Sequence, residues 1–216
     1  MPKISWKERH RRMRANLEEA WAASHHAPSD PGLREAYPTL PRAPIRLITC
    51  PLSKDINQGG ILRLAEAFRL ERIDFSPEAD GAIDMAGHRG TKTFQPWQWI
   101  EVDVAVAEAK AAGYQTVALT LSDRATDLDR HDWRFPMALV VGGELDGVPP
   151  EIEEMCDAAV AIPLYWMVQS LNVAVATGMA LQSAFGAFRR EHPEFLPARS
   201  TSRRLLGVSP AEYGEG

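Results

Sequence analysis

The sequence predicts an α/β protein: a parallel sheet with helices packed on both faces. Two observations carry that expectation. Short apolar runs alternate through the middle of the chain with segments of helical period, and runs such as Thr116–Leu121 and Met137–Val141 read as strands buried on both faces. Alternating strands and helices build doubly covered parallel sheets. Ligands of such sheets bind beyond the carboxyl ends of the strands.

In order, Ile4–Ala23 reads as a basic amphipathic helix with Ile4, Met13, Leu17 and Trp21 on one stripe. Residues 24–44 hold Pro28, Pro31, Pro38, Pro41 and Pro44, so they read as a linker or extended wrapping segment, because proline fixes φ and removes a donor. Ile45–Cys50 is expected as a strand, Gly59–Phe68 as a helix and Arg72–Phe75 as a short strand. Val102–Ala112 is expected as a helix ended by Gly113. After the strands Thr116–Leu121 and Met137–Val141, Pro149–Cys156 reads as a helix led by proline, Ala158–Ile162 as a strand and Ser170–Arg190 as the closing helix. The expected domains are therefore 1–44 (basic helix and Pro-rich linker), 45–190 (the α/β domain) and 191–216 (basic tail).

The 216 residues suit one main domain. No apolar run reaches the roughly 18 residues needed to span a bilayer, and no apolar signal core stands at the N-terminus, so a cytoplasmic protein with no membrane partner is expected. Cys50 and Cys156 lack CxxC or Cys/His spacing, and no metal is called for. The net charge of −5 is unevenly spread. Residues 1–14 carry six basic side chains against Glu8, and residues 186–204 carry five arginines against Glu191 and Glu194, leaving a net −11 between them. Basic arms on an acidic body suit either phosphate tracking or plain solvation.

Three segments carry candidate chemistry. In Asn57-Gln58-Gly59-Gly60-Ile61-Leu62-Arg63, Asn57 is placed to cap a helix and Arg63 stands among apolar residues, where it snorkels, pairs with Glu66 or Asp55, or meets an anion. In Gly142-Gly143-Glu144-Leu145-Asp146-Gly147, a strand ends in a glycine-rich turn bearing a carboxylate, suited to a sulfonium or amine. In Ile162-Pro163-Leu164-Tyr165-Trp166-Met167-Val168-Gln169-Ser170-Leu171-Asn172, a strand leads through a loop to Ser170 and Asn172, both good helix caps, and the backbone between Ile162 and Leu171 is suited to cradle an adenine.

Asn57…Arg63, Gly142-x-Glu144-x-x-Gly147 and Ile162-Pro163…Ser170-Leu171-Asn172 together resemble, in order, the three motifs of the SpoU/TrmH branch of the SPOUT RNA 2′-O-methyltransferases, over about residues 45–190. The likeness is greatest to its tRNA (guanosine-2′-O)-methyltransferase members. The resemblance implies a C-terminal trefoil knot, S-adenosyl-L-methionine as cofactor, and a homodimer whose sites use both subunits. It implies 2′-O-ribose methylation of RNA, expected on a tRNA D-loop guanosine; ribosomal RNA as substrate, or a catalytically weak knotted RNA-binding protein, are the alternatives. It also implies a catalytic set of Arg63, Asn57, Glu144, Ser170 and Asn172 and a cofactor set of Leu119, Gly142, Ile162 and Leu171. Arg stays protonated, so Arg63 is expected to stabilise a developing alkoxide and hold a phosphate rather than act as base, with Asn57 and Glu144 orienting it. Three positions depart from the family pattern: Trp166 and Arg69 replace glycines, and Gly143 replaces a polar residue.

Elsewhere, His131-Asp132 reads as a surface loop, His25-His26 as linker without a partner, Trp97 and Trp99 as packing, and His88-Arg89 with Lys92 as a loop that either touches RNA or is solvated.

Overall fold

A computed structural model describes residues 41–77, 95–165 and 167–195, which fall within one unit, Pro41–Leu196. The basic N-terminal helix, the linker histidines, the His88–Lys92 loop, Trp166 and the basic tail beyond Phe195 lie outside the described residues.

The elements in order are β1 (Ala43–Thr49), α1 (Asp55–Ala67), β2 (Leu70–Phe75), β3 (Trp97–Trp99), α2 (Val102–Ala111), β4 (Gln115–Leu119), β5 (Thr126–Asp127), β6 (Met137–Val141), α3 (Pro150–Met155), β7 (Ala158–Ala161) and α4 (Val173–Glu191). The seven strands form one sheet in the order β3-β2-β1-β6-β4-β7-β5, and every pairing is parallel. The expected fold class is the observed one, an α/β parallel sheet with helices on both faces.

Alternate residues of each strand face two separate cores. Leu47, Leu139 and Val117 stand in register and point with Ile45, Met137 and Val160 toward α1 and α4. Ile48, Val140 and Ala118 point the other way, against Ala105, Val106 and Ala109 of α2 and Ile152 of α3. Buried Leu47, Leu139, Ile61 and Leu62 are completely covered, each contributing about 1.5–3 kcal/mol of transfer free energy. α1 and α4 cross closely because their contact points are small: a Cβ on Gly60 would stand 3.3 Å from Ala174 Cβ, and one on Gly178 3.4 Å from Leu64 Cδ2.

Several boundaries differ from the sequence-based expectation. α1 begins at Asp55, so Asn57 sits in its first turn and is not its cap; the N-cap position is Lys54, which has no side-chain cap bond. α4 begins at Val173 rather than Ser170: Asn172 Oδ1 accepts from Ala174 N at 3.0 Å and Val175 N at 3.2 Å, and exposed Ser170 caps nothing. β3 is a strand the sequence does not announce, although Trp97 and Trp99 pack as expected, with ring centroids 6.4 and 5.7 Å from Phe75. Asp132 is exposed and pairs with Arg134, while half-buried His131 packs edge-on to Trp133 at 4.6 Å. Among the described residues, no helix is long and apolar enough to cross a membrane.

Candidate functional site

The carboxyl ends of β1, β4, β6 and β7 open into one cleft of about 730 Å³. Its walls are the loop from β1 into α1, the segment Leu119–Ser122 after β4, the turn Gly142–Gly147 after β6, and the chain from Ile162 to Asn172 after β7. The sheet places the cleft where strand order reverses about β1, the position at which doubly covered parallel sheets bind ligands.

The turn after β6 is built by its glycines. Gly143 N donates to Gly147 O at 3.1 Å and Gly147 N to Gly143 O at 3.3 Å, closing a tight antiparallel bridge. Gly147 has φ +67°, and a Cβ on Gly142 would stand 2.0 Å from the Gly147 carbonyl carbon and 2.4 Å from Val148 N. Only glycine lets the chain double back this closely. Gly143 is similarly confined, since a Cβ there would stand 2.7 Å from Pro51 O; that contact accounts for glycine at a position where the resembling family has a polar residue.

The tip of this turn carries Glu144 to the amino end of α1. Its carboxylate accepts from Ser53 N at 2.9 Å, Ser53 Oγ at 3.2 Å, Lys54 N at 3.2 Å and Asn57 Nδ2 at 2.6 Å. A distant side chain thus satisfies donors that the helix itself leaves open. Burial opposes the charge, but the donors from Asn57 and Ser53 outweigh it and hold the Glu144 carboxyl below its ordinary value. Asn57 is 3% exposed. Its Oδ1 accepts from Asn172 Nδ2 at 2.9 Å, and Asn172 Oδ1 in turn caps α4. A single hydrogen-bonded chain therefore runs from Glu144 through Asn57 and Asn172 to the start of α4.

Of the expected catalytic set, the structure brings Asn57, Glu144 and Asn172 into that chain and places Ser170 on the cleft wall. Leu119, Gly142, Ile162 and Leu171, the expected cofactor set, all line the cleft. Arg63 stands apart. It is exposed on α1, does not line the cleft, and interacts electrostatically with Glu66. Within one chain the side chains of Asn57 and Glu144 hydrogen-bond each other rather than Arg63. Helical geometry explains this: Ile61, Leu62 and Ala65 turn inward and carry Arg63 outward. Sequence reasoning missed Ser53, which holds the Glu144 carboxylate, and Glu153, which lines the cleft. A serine before a helix is a weak signal for Ser53; Glu153, within an acidic run, gave none.

The SpoU rRNA Methylase family matches residues 44–182. The tRNA (guanosine(18)-2′-O)-methyltransferase of Aquifex aeolicus is 46% identical over 98 residues, covering 44% of this chain and 46% of the relative. The enzyme of the same name from Escherichia coli K12 is 34% identical over 120 residues, covering 50% and 52%. The chain thus spans about half the length of these curated relatives. Among solved structures, the A. aeolicus TrmH/SpoU tRNA modifying enzyme superposes with a TM-score of 0.67 at 29% identity, covering 82% of this chain and 92% of that one. The AdoMet-bound rRNA methyltransferase from Sinorhizobium meliloti gives a TM-score of 0.62 at 26% identity, covering 72% and 59%. With the profile spanning well over half of the sequence and meeting the three cleft-forming segments, the chain belongs to the SpoU rRNA Methylase family.

Proposed function

We propose that this protein methylates ribose 2′-hydroxyls of RNA with S-adenosyl-L-methionine, on a guanosine of the tRNA D-loop. The observation that carries the reading is the Glu144–Asn57–Asn172 chain, which ties the three motif segments together on the wall of the cleft. The relatives named above as tRNA (guanosine(18)-2′-O)-methyltransferases support the substrate.

The cleft suits this cofactor. Leu119, Val141, Ile162 and Leu171 give a wall for the adenine, and the turn at Gly142 and Gly147 brings backbone close to a ligand where no side chain fits. S-adenosyl-L-methionine supplies an electrophilic sulfonium methyl when bound. The protein contributes placement and charge. Glu144, engaged by four donors, acts as a positioning residue: it holds the Asn57 amide, which holds Asn172, so the entrance to α4 is fixed before substrate arrives. Ser170 and Asn172 shape the position of the ribose hydroxyl. Arg63, permanently protonated, stabilises the developing alkoxide and its adjacent phosphate, and a phosphate oxygen or water receives the proton.

Because Arg63 faces away from its own cleft, it serves the cleft of a second copy in a homodimer. Ile56, Gly60, Arg63 and Ala67 share one side of α1, and Val175 and Met179 form an exposed apolar stripe on α4. Pairing through these two helices covers that stripe. A trefoil knot in the C-terminal half belongs to the same reading. It is supported by the return of the chain from β5 to β6 across the face that α4 occupies, where Trp133 Nε1 donates to Ser183 Oγ at 3.1 Å. The basic segments 1–14 and 186–204 track the RNA backbone.

The test is incubation with tRNA and methyl-labelled S-adenosyl-L-methionine, followed by nucleoside mass spectrometry. The expected product is 2′-O-methylguanosine in the D-loop fragment. Label confined to a base, or to ribosomal RNA alone, overturns the substrate assignment.

A further inference from the structure

A carboxylate outside the three motif segments faces the same cleft. Glu153, on α3, is 8% exposed, and its Oε1 accepts a 2.6 Å hydrogen bond from Ser122 Oγ on the segment after β4. Both residues line the cleft. Arg124 meets the main-chain carbonyl of Glu153 at 3.5 Å, not its carboxylate. A carboxylate has about four acceptor positions, and burying one with few donors is costly. Ser122 fixes the group in place and leaves acceptor capacity toward the cavity. Glu144, the other carboxylate that engages the motif segments, already accepts from four donors. The same cleft is lined by the apolar side chains of Leu119, Ile162 and Leu171. A nucleoside whose base covers those side chains presents its sugar hydroxyls to polar groups of the cleft, and vicinal hydroxyls are groups a fixed carboxylate accepts well.

We propose that Glu153, held by Ser122, accepts hydrogen bonds from the ribose hydroxyls of the adenosine part of the cofactor and sets the preference of the cleft for a ribonucleoside. This rests on the reading of the cleft as an S-adenosyl-L-methionine site. A latch that merely pins the loop after β4 to α3 is the competing role.

Calorimetry on the full chain separates the two, using S-adenosylhomocysteine and its 2′-deoxy and 3′-deoxy analogues. The wild type is expected to bind the parent at least ~10-fold more tightly than one of the deoxy analogues, as loss of a hydrogen bond to a charged group dictates. In Glu153→Gln that ratio is expected to shrink to about 3-fold or less, with affinity for the deoxy analogue little changed. Ser122→Ala, which frees the carboxylate to move, should shrink the ratio as well, and thermal melts check that both variants are folded. A wild type indifferent to the hydroxyls overturns the inference, as does equal weakening of all three ligands in Glu153→Gln, the mark of a latch. No binding of S-adenosylhomocysteine by the wild type sinks the cofactor reading itself and this inference with it, an outcome distinct from the other two.

Discussion

Asn172 Nδ2 donates to Asn57 Oδ1 at 2.9 Å, joining residues 115 positions apart. Each amide also has a second duty, Asn57 toward Glu144 and Asn172 toward the start of α4. The pair therefore connects both helices of one face to the turn after β6.

Replacing Asn57 by Ala removes the bonds that this buried amide makes to half-buried Glu144 and to Asn172 at the cleft surface. The expected cost is about 1–3 kcal/mol, read from urea denaturation. Asn57→Asp sets a second carboxylate within hydrogen-bond reach of Glu144, and one of the two then holds its proton to higher pH. A group with a raised folded pKa stabilises below its unfolded value and loses that contribution as pH rises. The Asp variant is thus expected to weaken relative to wild type between about pH 4 and 7; a constant difference across that range contradicts the geometry.

Glu144 itself works in the opposite direction. Its folded pKa is held low, so its contribution is present above its unfolded value of about 4.3 and is lost as pH falls through the folded one. Glu144→Gln is expected to flatten the acid limb of the stability curve below about pH 5. Denaturation midpoints from pH 3 to 7 measure this.

Gly142→Ala forces a methyl into the backbone of Gly147 and Val148, which has no flexible end to give way. Destabilisation of about 3 kcal/mol or more is expected, with loss of binding to S-adenosylhomocysteine by calorimetry. Retained affinity places the cofactor elsewhere.

Arg69 has φ +50°, the left-handed region, and its guanidinium lies 4.2 Å from the Phe195 ring centroid. Substitution by Gly or by Ala removes the ring contact equally, but only Gly relieves the backbone. The Gly variant is expected to be more stable than the Ala variant by about 1 kcal/mol, measured by thermal or chemical denaturation.

Met179, exposed on α4, tests the proposed pairing. Light scattering is expected to give a two-chain mass for the wild type and a one-chain mass for Met179→Glu, since charge buried at an apolar contact without a partner is costly. A two-chain mass in both moves the interface to another surface.

What the sequence made legible follows from range. The alternation of strands and helices is local and was read nearly whole, from Ala43–Thr49 to Val173–Glu191. The start of α1 was misplaced because its cap is Glu144, 87 positions away from Asn57, and no local pattern announces a cap supplied from that distance. Ser170 and Asn172 are equally good caps by composition, and what separates them is where α4 begins, with Asn172 at the cap position and tied across to Asn57. Arg63 was legible on closer counting: the inward turn of Ile61, Leu62 and Ala65 sends it outward. β3 spans three residues at a sheet edge, too short for any period to show. The slot of β6 between β1 and β4 belongs to the whole chain and to no segment of it.

That slot bears on synthesis. β1 and β4 are both complete before Met137 leaves the ribosome, yet each keeps an unpaired edge until β6 fills the gap between them. A nascent chain stopped short of that residue has the β1-β2-β3 strands with one bare edge and a β4 with neither of its neighbours, since β7 follows β6. Unpaired edges in that state recruit wrong partners. Translation speed across residues 120–141 therefore governs how long the protein is exposed to misassembly, and stop codons in that stretch yield products prone to aggregate rather than shortened but folded proteins.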